Sequence, residues 1–133
     1  MIFEIPFAPT KRRPRVRRNG QSYDPPENQR EKRAVRAAFI AQCGAVAPLE
    51  GAVSVQMDIY RRMPKSRPKK RLEEPDVYKP DIDNIAKAVL DALNGLAYTD
   101  DAHVARLRAT KHPRTRREGD LVRVEIEGLE ETE

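Results

Sequence analysis

Between Asp81 and the pair Asn94-Gly95, the residues Ile82, Ile85, Ala86, Val89 and Leu93 recur at three- and four-residue spacing, and Leu90 widens the stripe. This spacing predicts an amphipathic helix over 81–93, stopped by the left-handed conformation that Asn-Gly favours. A single apolar stripe needs a surface to lie on. Residues 52–60 supply one: Val53, Val55, Met57 and Ile59 fall on one face and Ser54, Gln56 and Asp58 on the other, the pattern of a half-buried strand. Residues 104–110 alternate with Ala105, Leu107 and Ala109 to one side, and 121–127 with Val122, Val124 and Ile126 inward. Helix and strands must share a core, which implies layers.

Two further elements complete the order. Ile2 to Phe7 reads as a short strand, with Pro6 marking an edge or an end. Asp24-Pro-Pro-Glu27 signals a helix start, and 28–44 is expected helical, with Val35, Phe39 and Ile40 joined by Ala38 and Ala41 on the apolar side. Gly44 and Pro48 end it. The expected fold is therefore α+β in two layers: a small mixed sheet with helices packed on it, in the order strand, helix, strand, helix, strand, strand. One domain over 1–133 is expected, with 130–133 a frayed acidic tail. Aromatic residues are 5% and Trp is absent, so the core rests on Val, Ile, Leu and Ala. Cys43, the single cysteine, is expected to be buried as a small apolar residue. It has no internal disulfide partner, no apolar run approaches the ~20 residues of a membrane span, and Met1-Ile-Phe-Glu-Ile-Pro6 lacks the order of an export signal. A cytoplasmic protein is the expectation.

The formal charge of +5 is unevenly spread: residues 1–71 hold 17 Lys/Arg against 6 Asp/Glu, and residues 72–133 hold 9 against 15. The basic half is suited to a polyanion, nucleic acid above all. Lys11, Arg12, Arg13, Arg15, Arg17 and Arg18 form one run, closed by Asn19-Gly20 as a loop or hairpin. Residues 61–80 carry a second, with Lys65, Arg67, Lys69, Lys70 and Arg71 among four prolines. Too little apolar surface is present there for tight packing, so 63–80 is expected to be a mobile basic loop. Both runs are candidate contacts to DNA phosphates.

Acidic side chains on such a surface oppose binding unless they hold a metal ion that acts on a phosphate. Asp81 stands at the helix N-cap position and Asp83 in the first turn, where an extended Asp81 lets both carboxylates converge. Lys87 lies four residues beyond Asp83 on the same side. Asp100-Asp101 follow a short turn and lead into a strand expected to return past the helix start. Mg²⁺ takes hard oxygen ligands and only a few carboxylates, which suits Asp81, Asp83 and Asp101, with Asp100 as a fourth candidate. Such an ion polarises the scissile phosphate and activates water. Lys87 is placed to neutralise charge on phosphorus, to position the nucleophile or to protonate the leaving oxygen, and the sequence leaves these open. A purely structural account gives a capped helix and an Asp83–Lys87 surface pair worth about 0.3–0.5 kcal/mol, but leaves Asp100-Asp101 unexplained. Asp91 reads as a solvated helix residue, and His103 and His112 as surface histidines, His103 with a minor substrate contact open to it. Zinc-site spacing, a Gly-rich phosphate loop and a Ser-His-Asp arrangement are all missing.

Asp81-Ile-Asp83-Asn84-Ile-Ala-Lys87, then Asp91-Ala-Leu-Asn94 and Asp100-Asp101, preceded by Lys79-Pro80, resemble the RusA-type Holliday-junction resolvases common in prophages and bacteriophages. The order of elements is similar too, including a strand that ends near Met63-Pro64; the specific part is 79–104. The resemblance implies Asp81, Asp83 and Asp101 as catalytic metal ligands and Lys87 as the essential lysine. It further implies a homodimer that nicks opposed strands of a four-way DNA junction with Mg²⁺ or Mn²⁺. One departure is Ala8-Pro9-Thr10-Lys11-Arg12, where family members often carry a Pro-Pro-Ser-x-Asn-like turn. The same residues also admit a non-enzymatic DNA-binding protein, or a metal-dependent nuclease acting on flaps or single strands.

Overall fold

The structure is a computed structural model in which residues 1–129 are described. The acidic tail expected at 130–133 lies outside the described residues. In chain order the elements are β1 (Ile2–Ile5), β2 (Arg15–Val16), β3 (Ser22–Tyr23), α1 (Pro26–Cys43), β4 (Val53–Tyr60) and β5 (Glu73–Glu74). Then follow α2 (Ile82–Leu93), a 3-10 turn (Asp101–His103), β6 (Val104–Lys111), β7 (Arg114–Thr115) and β8 (Leu121–Gly128). The main sheet runs β1-β8-β4-β6, with β4 and β6 parallel and the other neighbours antiparallel. It is a mixed sheet under two helices, the α+β arrangement that the periodicities imply.

Register explains the core. Val55 lies opposite Ile126, Met57 opposite Val124 and Ile59 opposite Val122, so one face of β4 and β8 is continuously apolar. Phe3 and Ile5 extend it through β1. Val35 and Phe39 of α1, and Ile85, Ala86, Val89, Ala92 and Leu93 of α2, cover that face. Phe3 and Phe39 meet edge to face with centroids 5.3 Å apart, a favoured aromatic geometry. Tyr98 is fully buried, and its hydroxyl donates to the Leu90 carbonyl at 2.7 Å, so the phenol enters the core with its polar end satisfied.

Some expectations give way. Ile40 is 45% exposed, because α1 lies over β1 and beside α2 and buries a stripe only one residue wide per turn. Cys43 is half-buried at the helix end, its Sγ 3.6 Å from the Ile2 carbonyl. Leu107 is 47% exposed, since β6 is an edge strand that the helices only partly cover. His112 is built in rather than left on the surface: its Nε2 is 2.8 Å from Asp58 Oδ1, and its ring stacks on Tyr60 at 4.5 Å.

The basic segment 63–80 is the largest difference. Met63 is buried, and its N–H donates to the Thr115 carbonyl at 2.8 Å. Strand β5 pairs with β7, and Glu74, only 7% exposed, receives Arg114 Nε at 3.1 Å, Arg67 Nε at 3.0 Å and Arg71 Nη1 at 3.4 Å. The Tyr78 ring lies 3.8 Å from the Arg114 guanidinium. Arg116 donates to the carbonyls of Arg67 and Pro68 at 3.1 and 2.7 Å. Charge-assisted hydrogen bonds organise this stretch where apolar burial is scarce, which is why its hydropathy conceals it.

Asp58 gives the fold a measurable acid sensitivity. The hydrogen bond from His112 holds its carboxyl below the ordinary carboxylate range, with burial opposing and Gln56 adding to the effect. The folded group stays ionised where the unfolded one, near pH ~3.9, is already taking up protons. Its stabilisation is therefore present above about pH 4 and fades as the pH falls through the folded value. His112→Phe keeps the stack and removes the bond. Urea unfolding followed from about pH 4.5 to pH 2.5 is expected to lose stability less steeply in that variant than in the wild type; identical slopes would show that His112 does not hold Asp58 ionised.

Candidate active site along the second helix

Residues 78–81 lead into α2. Asp81 has the expected extended geometry, φ −66° and ψ 149°, but its side chain makes no capping hydrogen bond. Its backbone carbonyl accepts the N–H groups of Asn84 and Ile85 at 3.1 and 3.2 Å. Its carboxylate pairs with Lys79, at 2.9 Å between Nζ and Oδ1, in an exposed contact. Asp83 and Lys87 are exposed one turn apart, and neither has an ion-pair partner among the described residues. The surface pair that a purely structural account needs is therefore not formed.

Asp91, one turn beyond Lys87, is half-buried and ion-paired with Lys11, whose N–H donates to the Asn84 carbonyl at 3.2 Å. The segment before β2 thus lies along α2. It is tied to α1 as well: Arg12 Nη1 meets Glu31 Oε2 at 2.7 Å, and Arg12 N–H donates to Asn28 Oδ1 at 3.0 Å. Between these elements is a groove of about 260 Å³, lined in part by Lys11, Asp24, Asn28, Lys32, Asp91 and Asn94.

Asp100 and Asp101 sit at the other end of the helix from Asp81. Asp101 N–H donates to Asn94 Oδ1 at 3.2 Å, and Asp100 Oδ1 accepts the Ala102 N–H at 2.9 Å. A hydrogen bond shared with Asp100 raises the Asp101 carboxyl above its ordinary range, and burial and the charges of Asp100 and Asp91 push the same way. The Ala102 N–H, first, and the shared bond lower Asp100. The strand after α2 does not return past the helix start at its beginning, as the sequence suggests; only its far end does. The turn 94–100 is tight, closed by Gly95 N–H on the Tyr98 carbonyl at 2.9 Å, so β6 has to begin beside the helix end. Lys111, the last residue of β6, is the one that reaches the helix start, bonding the Tyr78 and Pro80 carbonyls.

The acidic residues therefore form a line rather than a cage. Asp81 and Asp83 stand at one end of α2, Asp91, Asp100 and Asp101 at the other, and Lys87 between. As ligands they suit a hard divalent cation in kind, being all carboxylate oxygens, but not in placement: among the described residues no three His, Cys, Asp or Glu side chains are grouped to hold a metal ion. Asp91, which the sequence reads as a solvated helix residue, and Asn94, which it reads as the helix stop, both line the groove, and Asp91 follows Lys87 by four residues and so shares its face.

The basic candidates divide into two sets. Lys11, Arg12, Arg15, Arg67 and Arg71 are engaged with Asp91, Glu31, Glu27 and Glu74. Arg13, Arg17, Arg18, Lys65, Lys69 and Lys70 have no carboxylate partner among the described residues, and Arg17 rests 4.7 Å from the Tyr23 ring across the β2–β3 hairpin. No helix among the described residues is long and apolar enough to cross a membrane.

The sequence model of the family described as Endodeoxyribonuclease RusA matches residues 6–127. An uncharacterized protein, YqaN of Bacillus subtilis (strain 168), is 35% identical over 120 residues, covering 83% of this chain and 83% of the relative.

Proposed function

Because the chain belongs to the RusA endodeoxyribonuclease family, we propose that it resolves four-way DNA (Holliday) junctions by paired symmetric nicks, as a homodimer with Mg²⁺ as cofactor, Mn²⁺ substituting. The observation that carries this reading is the line of ionisable groups Asp81, Asp83, Lys87, Asp91 and Asp100-Asp101 along α2 and just past its end, in a chain with exposed cations on the β2–β3 hairpin and in the 63–80 segment. A junction presents two opposed strands related by a two-fold axis, which two identical chains match. Phosphate contacts position DNA without reading its sequence, so branch shape decides where the cut falls. Phage or prophage ancestry and a cytoplasmic setting belong to the same reading.

Asp81, Asp83 and Asp101 are the proposed ligands of the divalent ion that nucleases of this family generally require, with Asp100 as a fourth. Since no three stand together among the described residues of one chain, the reading requires that bound DNA or the second chain draw them onto one ion. Lys87 is exposed in the middle of the line with no competing partner among the described residues, so its ammonium is available to a phosphate oxygen or to the leaving 3′ oxygen as charge develops there.

The test is cleavage of a four-way junction, a flap and a plain duplex, each with and without Mg²⁺. Junction-selective, Mg²⁺-dependent nicking at symmetric positions is expected. Faster cutting of the flap would move the protein to a different substrate class, and no product on any DNA, with Mg²⁺ or with Mn²⁺ in its place, would leave a DNA-binding protein.

Replacing Arg15, Arg17 and Arg18 together with Gln probes the hairpin. For every phosphate these arginines neutralise, the substitution should lower the slope of log affinity against log salt by about 0.9. A change of about 2 to 3 is therefore expected from fluorescence anisotropy across a salt series. An unchanged slope would place the DNA elsewhere.

A further inference from the structure

Beneath the start of α2 lies a buried charged cluster to which cleavage assigns no part. The Asp76 side chain is 0% exposed, with Arg61 Nη1 3.3 Å and Lys111 Nζ 3.5 Å from its Oδ1. Its Oδ2 and the Arg61 Nε have no hydrogen-bond partner among the described residues. Lys111 is 13% exposed. As a fold-stabilising ion pair the cluster is poorly made. Its shortest bonds go elsewhere: Lys111 Nζ donates to the Tyr78 carbonyl at 2.6 Å and the Pro80 carbonyl at 3.1 Å. At 3.5 Å its link to Asp76 is Coulombic, whereas the two to carbonyls are charge-assisted hydrogen bonds.

Those carbonyls belong to the residues just before Asp81. Tyr78 is also touched by Arg61, whose Nη1 reaches its carbonyl at 3.4 Å, and by Arg114 on its ring, but the Pro80 carbonyl is bonded by Lys111 alone among the described residues. Val77 is 80% exposed, Lys79 and Asp81 are exposed, and Asp81 leaves the helix without a side-chain cap. The Asp81 carbonyl receives the first two N–H bonds of α2, so the path of 78–80 sets where the first helical turn points, and with it Asp83.

We propose that Lys111, held in place by Asp76, is a positioning residue for the nuclease site: it fixes the backbone from which Asp81 and Asp83 project. The proposal rests on the reading of Asp81 and Asp83 as catalytic. A displacement of about 1 Å in such groups costs up to ~10²-fold in rate, and a buried ammonium bonded to two carbonyls restrains motion on that scale. Asp76 faces both Lys111 and Arg61 in a site that water barely reaches, and Asp120, 3.9 Å from the Arg61 Nε, supplies the second negative charge.

The experiment measures single-turnover cleavage of a four-way junction at saturating protein, binding of the uncut junction in EDTA, and melting temperature, for full-length wild type, Asp83→Asn, Lys111→Met, Lys111→Arg and the double variant Asp76→Asn/Lys111→Met. Lys111→Met is expected to cut about 10²-fold more slowly while binding stays within about twofold, and Lys111→Arg, which keeps a donor in place, to regain most of the rate. If Lys111→Met alone fails to fold, the double variant, which removes one charge of each sign, is expected to fold and show the same drop in rate. Full-rate cutting by whichever of the two folds, with Asp83→Asn inactive, overturns the role of Lys111 alone. Loss of binding equal to the loss of rate, or no recovery in Lys111→Arg, overturns it as well, by reducing the cluster to a structural one. Cutting by Asp83→Asn at the wild-type rate overturns the underlying reading, and this inference with it.

Discussion

Asp83→Asn is expected to lower junction cleavage by at least ~10²-fold while junction binding in EDTA remains near that of the wild type. The structure separates the two effects. Asp83 is exposed in the first turn of α2 and has no ion-pair or hydrogen-bond partner among the described residues. Exchanging carboxylate for amide removes no packing and strands no buried group. The helix loses only the favourable interaction of an acidic side chain with its N-terminal dipole, about 0.3–1 kcal/mol, so melting should move by a few degrees at most. Removing a negative charge near bound phosphates, if anything, tightens the complex. A large loss of rate with binding and fold intact therefore isolates chemistry. Equal loss of cutting and binding in a folded variant would count against the site, and undiminished cutting would remove Asp83 from it.

Arg114→Met is expected to lower stability by about 3 kcal/mol, seen as a fall of roughly 10 °C in melting temperature. Arg114 is 5% exposed and bonds Glu74, itself 7% exposed, through both Nε and Nη2. The substitution leaves the buried carboxylate with only the more exposed arginines, Arg67 at 3.0 Å and Arg71 at 3.4 Å. It also removes the guanidinium from the Tyr78 ring. The companion variant Arg114→Met/Glu74→Gln takes away the buried charge that has lost its buried partner and is expected to recover part of the stability, since a buried pair can often be replaced by neutral groups at little cost. A shift under about 2 °C for the single variant would mean that the 63–80 segment is not held through Glu74.

The legible part of the fold is whatever carries a strong period. Strands β4 and β8 and helix α2 follow from alternation and from three- and four-residue spacing, and the Asn19-Gly20 pair does sit in a hairpin turn, with Gly20 at φ 86°. Strands β5 and β7 carry no such mark. Glu73, Glu74 and Arg114 look like solvated charge in a sequence, and only their pairing and the burial of Glu74 and Arg114 make them structure. The position of Asp101 departs from the expected one although its direction is readable. Two parallel strands joined by a helix form a unit in which the helix runs against both. The end of α2 therefore meets the beginning of β6, and Asp100-Asp101 fall beside Asp91 and Asn94 rather than beside Asp81. Lys111 escapes a sequence reading because its value lies in two backbone carbonyls more than thirty residues earlier, a pairing that no local pattern announces.

Among the described residues the sheet order leaves β6 bonded on one side only, an unpaired strand edge of up to eight residues. Such a border invites strand addition from other molecules and, repeated, fibre growth. Arg106 and Arg108 stand exposed on alternate residues along it, while the opposite border, β1, offers only four residues. Two copies of β6 brought alongside one another would confront these arginines with their own kind. Like-charge repulsion thus opposes edge-to-edge pairing of two such strands.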